Sequence, residues 1–168
     1  MAVSTDMIRT WRQPRVVMRS LLAMGQREDR AIAYLMAACV IAIIAQLPMI
    51  ARWNAGFDVP TGTEQMEMGT RVQYAVMSWL MIAPLMMYAV AAILHIIAKV
   101  FGGKGTWFSA RLALFWSFLS TTPALLLYGL AYGFIGNGPQ ANLVGFIWFA
   151  AFAIIGFLCL REAEKAPV

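Results

Sequence analysis

The sequence predicts an all-α polytopic membrane bundle, four transmembrane helices preceded by an amphipathic interfacial helix, and three observations predict it. Four apolar blocks, Ala31 to Ala51, Val72 to Ala98, Trp107 to Phe134 and Ala141 to Leu160, are each about 20 residues or more, enough to cross a hydrocarbon core ~30 Å thick at ~1.5 Å per residue. Positive charge falls in alternate connections: Arg9, Arg12, Arg15, Arg19, Arg27 and Arg30 precede the first block, Lys99, Lys104 and Arg111 flank the second loop, and Arg161 and Lys165 follow the last block. Only Arg52 and Arg71 lie elsewhere, so the positive-inside rule places both termini and the second loop in the cytoplasm. Finally, a 168-residue chain that is 61% hydrophobic and 12% charged, with mean hydropathy +0.70, has too little polar surface to close around a water-soluble core.

The chain divides into a basic cytoplasmic arm (1–30), a four-span membrane domain (31–160) and a short cytoplasmic tail (161–168). The arm is not a signal peptide, because the apolar run behind it is of full spanning length and ends in Arg52 and Trp53 without a small-residue cleavage site. Within it, Pro14 suits a helix start and Gly25 a helix end, and Val17, Met18, Leu21, Leu22 and Met24 cluster on one side at helical spacing. Such a helix is expected to lie in the headgroup plane, apolar face down, with Arg12, Arg15 and Arg19 as candidate contacts to anionic headgroups. Two roles are open to it: a lipid- or partner-binding arm, or, preferred, a structural anchor feeding the first span through a hinge at Gln26 to Arg30.

The first outer loop, Arg52 to Arg71, is slightly acidic and turns at Pro60 and Gly62. Its Met66 and Met68, with Met49 upstream, carry thioethers of the kind that hold Cu(I), but no His or Cys accompanies them and a turn role explains the same residues. The second outer loop, Ile135 to Gln140, is an uncharged hairpin. Cys39 and Cys159 fall within spans on the cytoplasmic half and read as packing residues.

No Asp, Glu, Lys or Arg lies at mid-depth of a span, which argues against an ion-coupled pump. The lone histidine, His95, reads as a hydrogen-bonded interfacial ring, since one imidazole without an acidic or cysteine cluster does not make a metal site. Deep polar residues sit beside prolines instead: Gln46 with Pro48, Ser78 before Pro84, and Thr121 with its neighbours before Pro123. Proline removes a backbone hydrogen bond and a nearby hydroxyl can satisfy the freed carbonyl, so static bends are the preferred reading and a shared cavity for a lipid headgroup or small solute is the sharper one. The small-xxx-small pairs Gly129/Gly133 and Ala141/Gly145 are expected to pack the third and fourth spans against each other.

Phosphate-loop, zinc-protease and paired-carboxylate patterns are all missing, so no enzyme activity and no cofactor are expected. Gly102, Gly103, Lys104 and Gly105 do not have phosphate-loop spacing and no strand precedes them; they read as a tight turn whose lysine sits at the headgroups, or else as a docking point for a partner. The net charge of +5 belongs to anionic lipid rather than nucleic acid, because it is dispersed among membrane anchors.

The stretch His95-Ile-Ile-Ala-Lys-Val-Phe-Gly-Gly-Lys-Gly-Thr-Trp-Phe-Ser109, leading into a span with Pro123 at its centre, resembles the bacterial branch of the Yip-one domain family of multispanning membrane proteins. Gln13-Pro14-Arg15-Val16-Val17 and Leu21-Leu22-Ala23-Met24-Gly25 are similar to the arm before the first span in those members, and the resemblance covers essentially the whole chain. It implies an all-helical, non-enzymatic protein of the bacterial inner membrane. Eukaryotic relatives bind Rab-type GTPases, but their long acidic and aromatic N-terminal region has no counterpart here. This chain also differs in showing four spans where five are usual, and Phe115-Trp116 where an aromatic-glycine pattern is common. The function expected is a Yip-like scaffold or membrane-organising protein with lipids and a membrane protein as partners. A carrier or scramblase for a lipid or small amphiphile, and an accessory subunit of a larger complex, are the alternatives; a carrier requires a lipid-lined groove at Gln46, Ser78 and Thr121.

Overall fold

The computed structural model describes residues 3–165, and its helices begin and end where the sequence supplies the signals. Helix α1 is Val3–Arg12; α2, Pro14–Ala23, starts on a proline whose missing N–H costs nothing in a first turn, and the chain leaves it through Gly25 at φ +85°. Helix α3, Glu28–Asn54, opens with Glu28 and Asp29 and closes near Arg52, complementing its dipole. The second span comprises α4 (Met68–Met77), a π-helical turn (Ser78–Ile82) and α5 (Ala83–Val100). The π-turn immediately precedes Pro84, which cannot donate to the carbonyl four residues back; there the Ala83 N–H reaches five residues back, to Ser78 O. Helix α6, Trp107–Ile135, is capped by a reciprocal Thr106–Ser109 box, and α7, Pro139–Ala163, again starts on a proline.

Four of these units, Glu28–Asn54, Met68–Val100, Trp107–Ile135 and Pro139–Ala163, are long and apolar enough to cross a membrane. They run antiparallel in turn, so the start of α3, the end of α5, the start of α6 and the end of α7 share one end of the bundle. That end carries nine of the 13 Lys and Arg residues, Arg15, Arg19, Arg27, Arg30, Lys99, Lys104, Arg111, Arg161 and Lys165, while Arg52 and Arg71 stand at the other end and Arg9 and Arg12 on α1. We call it the basic end.

Helix α6 is the axis. From Phe108 to Thr122 every residue except Arg111 is buried, because α1, α3, α5 and α7 all pack on it. The surrounding elements present aromatic rings to it: Tyr34 of α3 meets Trp116 edge-on at 5.0 Å, Tyr88 of α5 meets Phe115 at 5.0 Å, and Trp79 stacks on Phe118 at 6.0 Å. The hydroxyls of this helix turn back on its own backbone: Ser117 donates to Ala113 O (2.6 Å), Thr121 to Ser117 O (3.0 Å), and Thr122 to Leu119 O (2.8 Å), the carbonyl that Pro123 leaves without an N–H.

Two expectations change at this level. The pair Gly129/Gly133 packs on the first span, not the fourth: a Cβ on Gly129 would fall 1.8 Å from Ala45 O, and one on Gly133 would fall 2.5 Å from the Pro48 ring. Spacing identifies a close approach but not the helix that approaches. Gly145 does face the third span, against Tyr128.

The arm also differs from a helix lying on lipid. Val17, Met18, Leu21 and Leu22 of α2 are buried against the bundle, where α7 takes up the apolar face. Helix α1, which the sequence reading did not separate, goes further in. Its Thr10 hydroxyl accepts from Trp116 Nε1 (3.0 Å), and its Trp11 Nε1 donates to Ser120 O (2.9 Å). The hinge is shorter than Gln26 to Arg30, since α3 has already begun at Glu28.

Candidate functional site

At the basic end, the last residues of α7 are locked into the loop between α5 and α6. His95, on the last turns of α5, is 1% exposed, and its Nδ1 is hydrogen-bonded to Glu164 Oε1 at 2.7 Å. The other carboxylate oxygen of Glu164 accepts from the Gly105 N–H (3.0 Å), and the Glu164 carbonyl accepts from the Lys104 N–H (2.8 Å). Trp107, at the start of α6, covers the imidazole with ring centroids 4.6 Å apart.

The glycines of this loop have different jobs. Gly102 sits at φ +84° and ends α5, the backbone role expected of the loop. Gly103 and Gly105 are needed for space instead: a Cβ on Gly103 would lie 2.6 Å from Glu164 Oε2, and one on Gly105 would lie 2.7 Å from the same atom. Lys104 joins through its backbone, and its side chain is exposed. His95, Gly103, Lys104 and Gly105 are thus brought together around Glu164, a residue that sequence reasoning had assigned to a tail. Its signal was present in Arg161-Glu-Ala-Glu-Lys165, where two acids interrupt an otherwise basic end.

A second lock ties the arm to the same helix. Arg19 Nε donates to Glu162 Oε1 at 2.6 Å, and this bond holds the guanidinium above its ordinary pKa. Arg111 pairs with Glu28 and lies over the Tyr88 ring, joining α6, α3 and α5. Of the three arginines expected at headgroups, Arg19 bonds Glu162 with its side chain still 68% exposed, and Arg12 and Arg15 are exposed too. Within the tail read at 161–168, residues 161–163 form the last turn of α7, and Glu162, Ala163 and Glu164 are buried.

The proline-flanking polar residues do not form one site. Thr121 is 0% exposed, Ser78 is exposed on the second span, and Gln46 lines a recess of about 170 Å³ with Trp79, Tyr128 and Trp148. Pro48 rests on Gly133, Pro84 follows the π-turn, and Pro123 borders a separate groove with Trp11 and Arg12. Met49 and Met66 line different recesses.

At the opposite end, Arg52 Nε donates to Asp58 Oδ2 (2.9 Å), which also accepts from the Asn137 N–H (3.1 Å) and so joins the two loops. Arg71 donates to the carbonyls of Thr63 (2.6 Å) and Met66 (3.1 Å), holding the first loop against α4.

The Yip1 domain model matches residues 8–167, nearly the full chain. The chain belongs to the Yip1 domain family. The match takes in the α1–α2 arm from Ile8 onward, all four spans and Glu164, so the arm and the latch at the basic end are parts of this Yip1 domain rather than additions to it. No curated protein and no solved structure matches the chain.

Proposed function

We propose that this Yip1-domain chain is a non-enzymatic scaffold that organises partners in the bacterial inner membrane, with both termini and the Gly102–Gly105 loop in the cytoplasm. The bacterial placement follows the resemblance carried by His95–Ser109 and by Gln13–Gly25. The observation that carries the scaffold reading is the closed interior around α6. A carrier needs a polar path that substrate can enter, whereas the Thr121 hydroxyl is sealed in the core and bonded to its own helix, and Gln46 and Ser78 open to different surroundings. What the molecule offers outward at its basic end is a rigid loop, pinned by Glu164 and flanked by exposed Lys99 and Lys104.

Two measurements test this. Crosslinking and co-purification of the full chain from native membranes should return a membrane-protein partner, and Lys104→Ala should weaken that association while leaving the fold intact. Purified protein in vesicles should not speed transbilayer movement of a labelled lipid above the protein-free rate. Faster lipid movement, or recovery of lipids alone with no protein partner, would overturn the scaffold reading.

A further inference from the structure

Helices α5 and α7 both lean on α6 at the basic end but hardly touch each other, and a groove of about 490 Å³ opens between them. Its walls are apolar: Ile97 and Phe101 on one side, Phe157 and Leu160 on the other, with Phe101 85% and Phe157 63% exposed. Its rim is basic, formed by Arg161 and Lys165. Arg161 makes no ion pair among the described residues, and Lys165 Nζ has only a loose approach of 3.8 Å to Glu162 Oε2. Among the described residues the one carboxylate lining the groove is Glu164, and both its oxygens are taken, one by His95 and the other by the Gly105 N–H.

We infer that this groove is a binding site for an anionic membrane lipid, one acyl chain lying between Phe101 and Phe157 and the headgroup phosphate meeting Arg161 and Lys165. An apolar slot that ends at Arg161 and at Lys165, whose contact with Glu162 is long, at the level where a spanning helix meets the headgroups, matches the two halves of such a lipid. Water fits the walls poorly, and a zwitterionic lipid leaves its own cation facing the basic rim. The latch contributes by occupying both Glu164 carboxylate oxygens, so that neither pairs with Arg161 or Lys165. The inference rests on the membrane assignment and not on the scaffold reading.

The test uses the full chain purified in mild detergent, mixed with equal amounts of phosphatidylglycerol and phosphatidylcholine of the same acyl length, with retained lipids counted by native mass spectrometry. Phosphatidylglycerol should be retained in preference. Arg161→Gln with Lys165→Gln should reduce that preference by roughly tenfold or more, since both basic groups facing the charged headgroup are lost. Phe101→Ala with Phe157→Ala, at two exposed positions, should lower retention of both lipids without changing thermal stability. Glycerol phosphate, a headgroup without chains, should not compete. The control Arg27→Gln with Arg30→Gln removes the same charge from the arm and should leave the preference intact. Equal retention of the two lipids by the native chain overturns the site. So does an undiminished preference in the Arg161/Lys165 variant, or an equal loss in the arm control.

Discussion

Glu164 holds three elements through two side-chain bonds and one backbone bond, so its truncation is a direct test of the latch. Glu164→Ala leaves the buried His95 ring and the Gly105 N–H without partners, at about 1–3 kcal/mol for an unsatisfied buried group, and should lower the unfolding temperature in detergent. Glu164→Gln keeps an acceptor for the Gly105 N–H and a donor that the other His95 tautomer can accept, and should lose less; equal stability of Ala, Gln and native proteins would remove the latch from the account. Gly105→Ala should also destabilise, because its Cβ would meet Glu164 and the Ala163 carbonyl within 2.8 Å. At the other end, the Asn137 N–H and then Arg52 hold the Asp58 carboxyl below its ordinary pKa. A depressed folded-state pKa stabilises fully above the unfolded value of about 3.9, and that contribution fades as pH falls through the folded value. Asp58→Asn should therefore be less stable than the native chain at neutral pH, and the gap in unfolding temperature should close below about pH 4. A gap that persists at low pH would assign the effect to something other than the charge. His95 as a bonded ring and the glycine loop as a turn were legible in the sequence; their partner was not, because a contact 69 residues away in the chain leaves no local periodicity.

The helices themselves were read from length and punctuation, which are local properties: four spans, Pro14 as a start and Gly25 as an end all follow from residues within one turn of the boundary. Helix α1 escaped because it is short and polar overall, although Met7, Thr10 and Trp11 stand at i, i+3 and i+4 and form its inner face. That face makes the arm part of the core. Thr10→Val, nearly isosteric, should cost about 1–3 kcal/mol, since it strips the buried Trp116 indole of its acceptor. A silent Thr10→Val would mean that the arm packs only loosely. Which helix a glycine faces was likewise beyond local spacing, and two glycines now separate the cases. Gly129→Ala drives a Cβ into the Ala45 carbonyl and should reduce folded yield and stability by about 1–3 kcal/mol or more, the range for overpacking. Gly156→Ala, whose nearest neighbour is Ser117 Cβ at 3.9 Å, should be tolerated. Equal effects at the two positions would deny the close approach of α3 and α6.

Over the whole molecule, charge is divided more unevenly than shape. The basic end carries nine Lys and Arg against four Asp and Glu (Glu28, Asp29, Glu162, Glu164), the opposite end two against three (Asp58, Glu64, Glu67), and α1 two against one (Arg9, Arg12, Asp6), so net charges of +5, −1 and +1 account for the total of +5. Hydrophobic burial does not distinguish one orientation of this bundle from its inverse, because the apolar belt reads the same from either side. The asymmetry of charge does, since positively charged connections are retained on the cytoplasmic face during insertion. The packed arm adds to the argument. Helix α2 is fastened to the end of α7 through Arg19, so Arg15 and Arg19 are held at the basic end together with the arginines and lysines of the second loop, whereas α1 lies beside Trp116 and Ser120, midway along α6. Reporter fusions check the expected outcome: a reporter after residue 168 should be active in the cytoplasm, and one inserted near Pro60 should be active on the other side. Replacing Arg27, Arg30, Lys99 and Lys104 by Gln should leave the sign of the bias unchanged, because five basic residues still stand at that end against two at the other. Reporters found on the same side would contradict the four-span bundle. A cytoplasmic Pro60 loop with external termini would keep the bundle and show that its charge does not set its orientation.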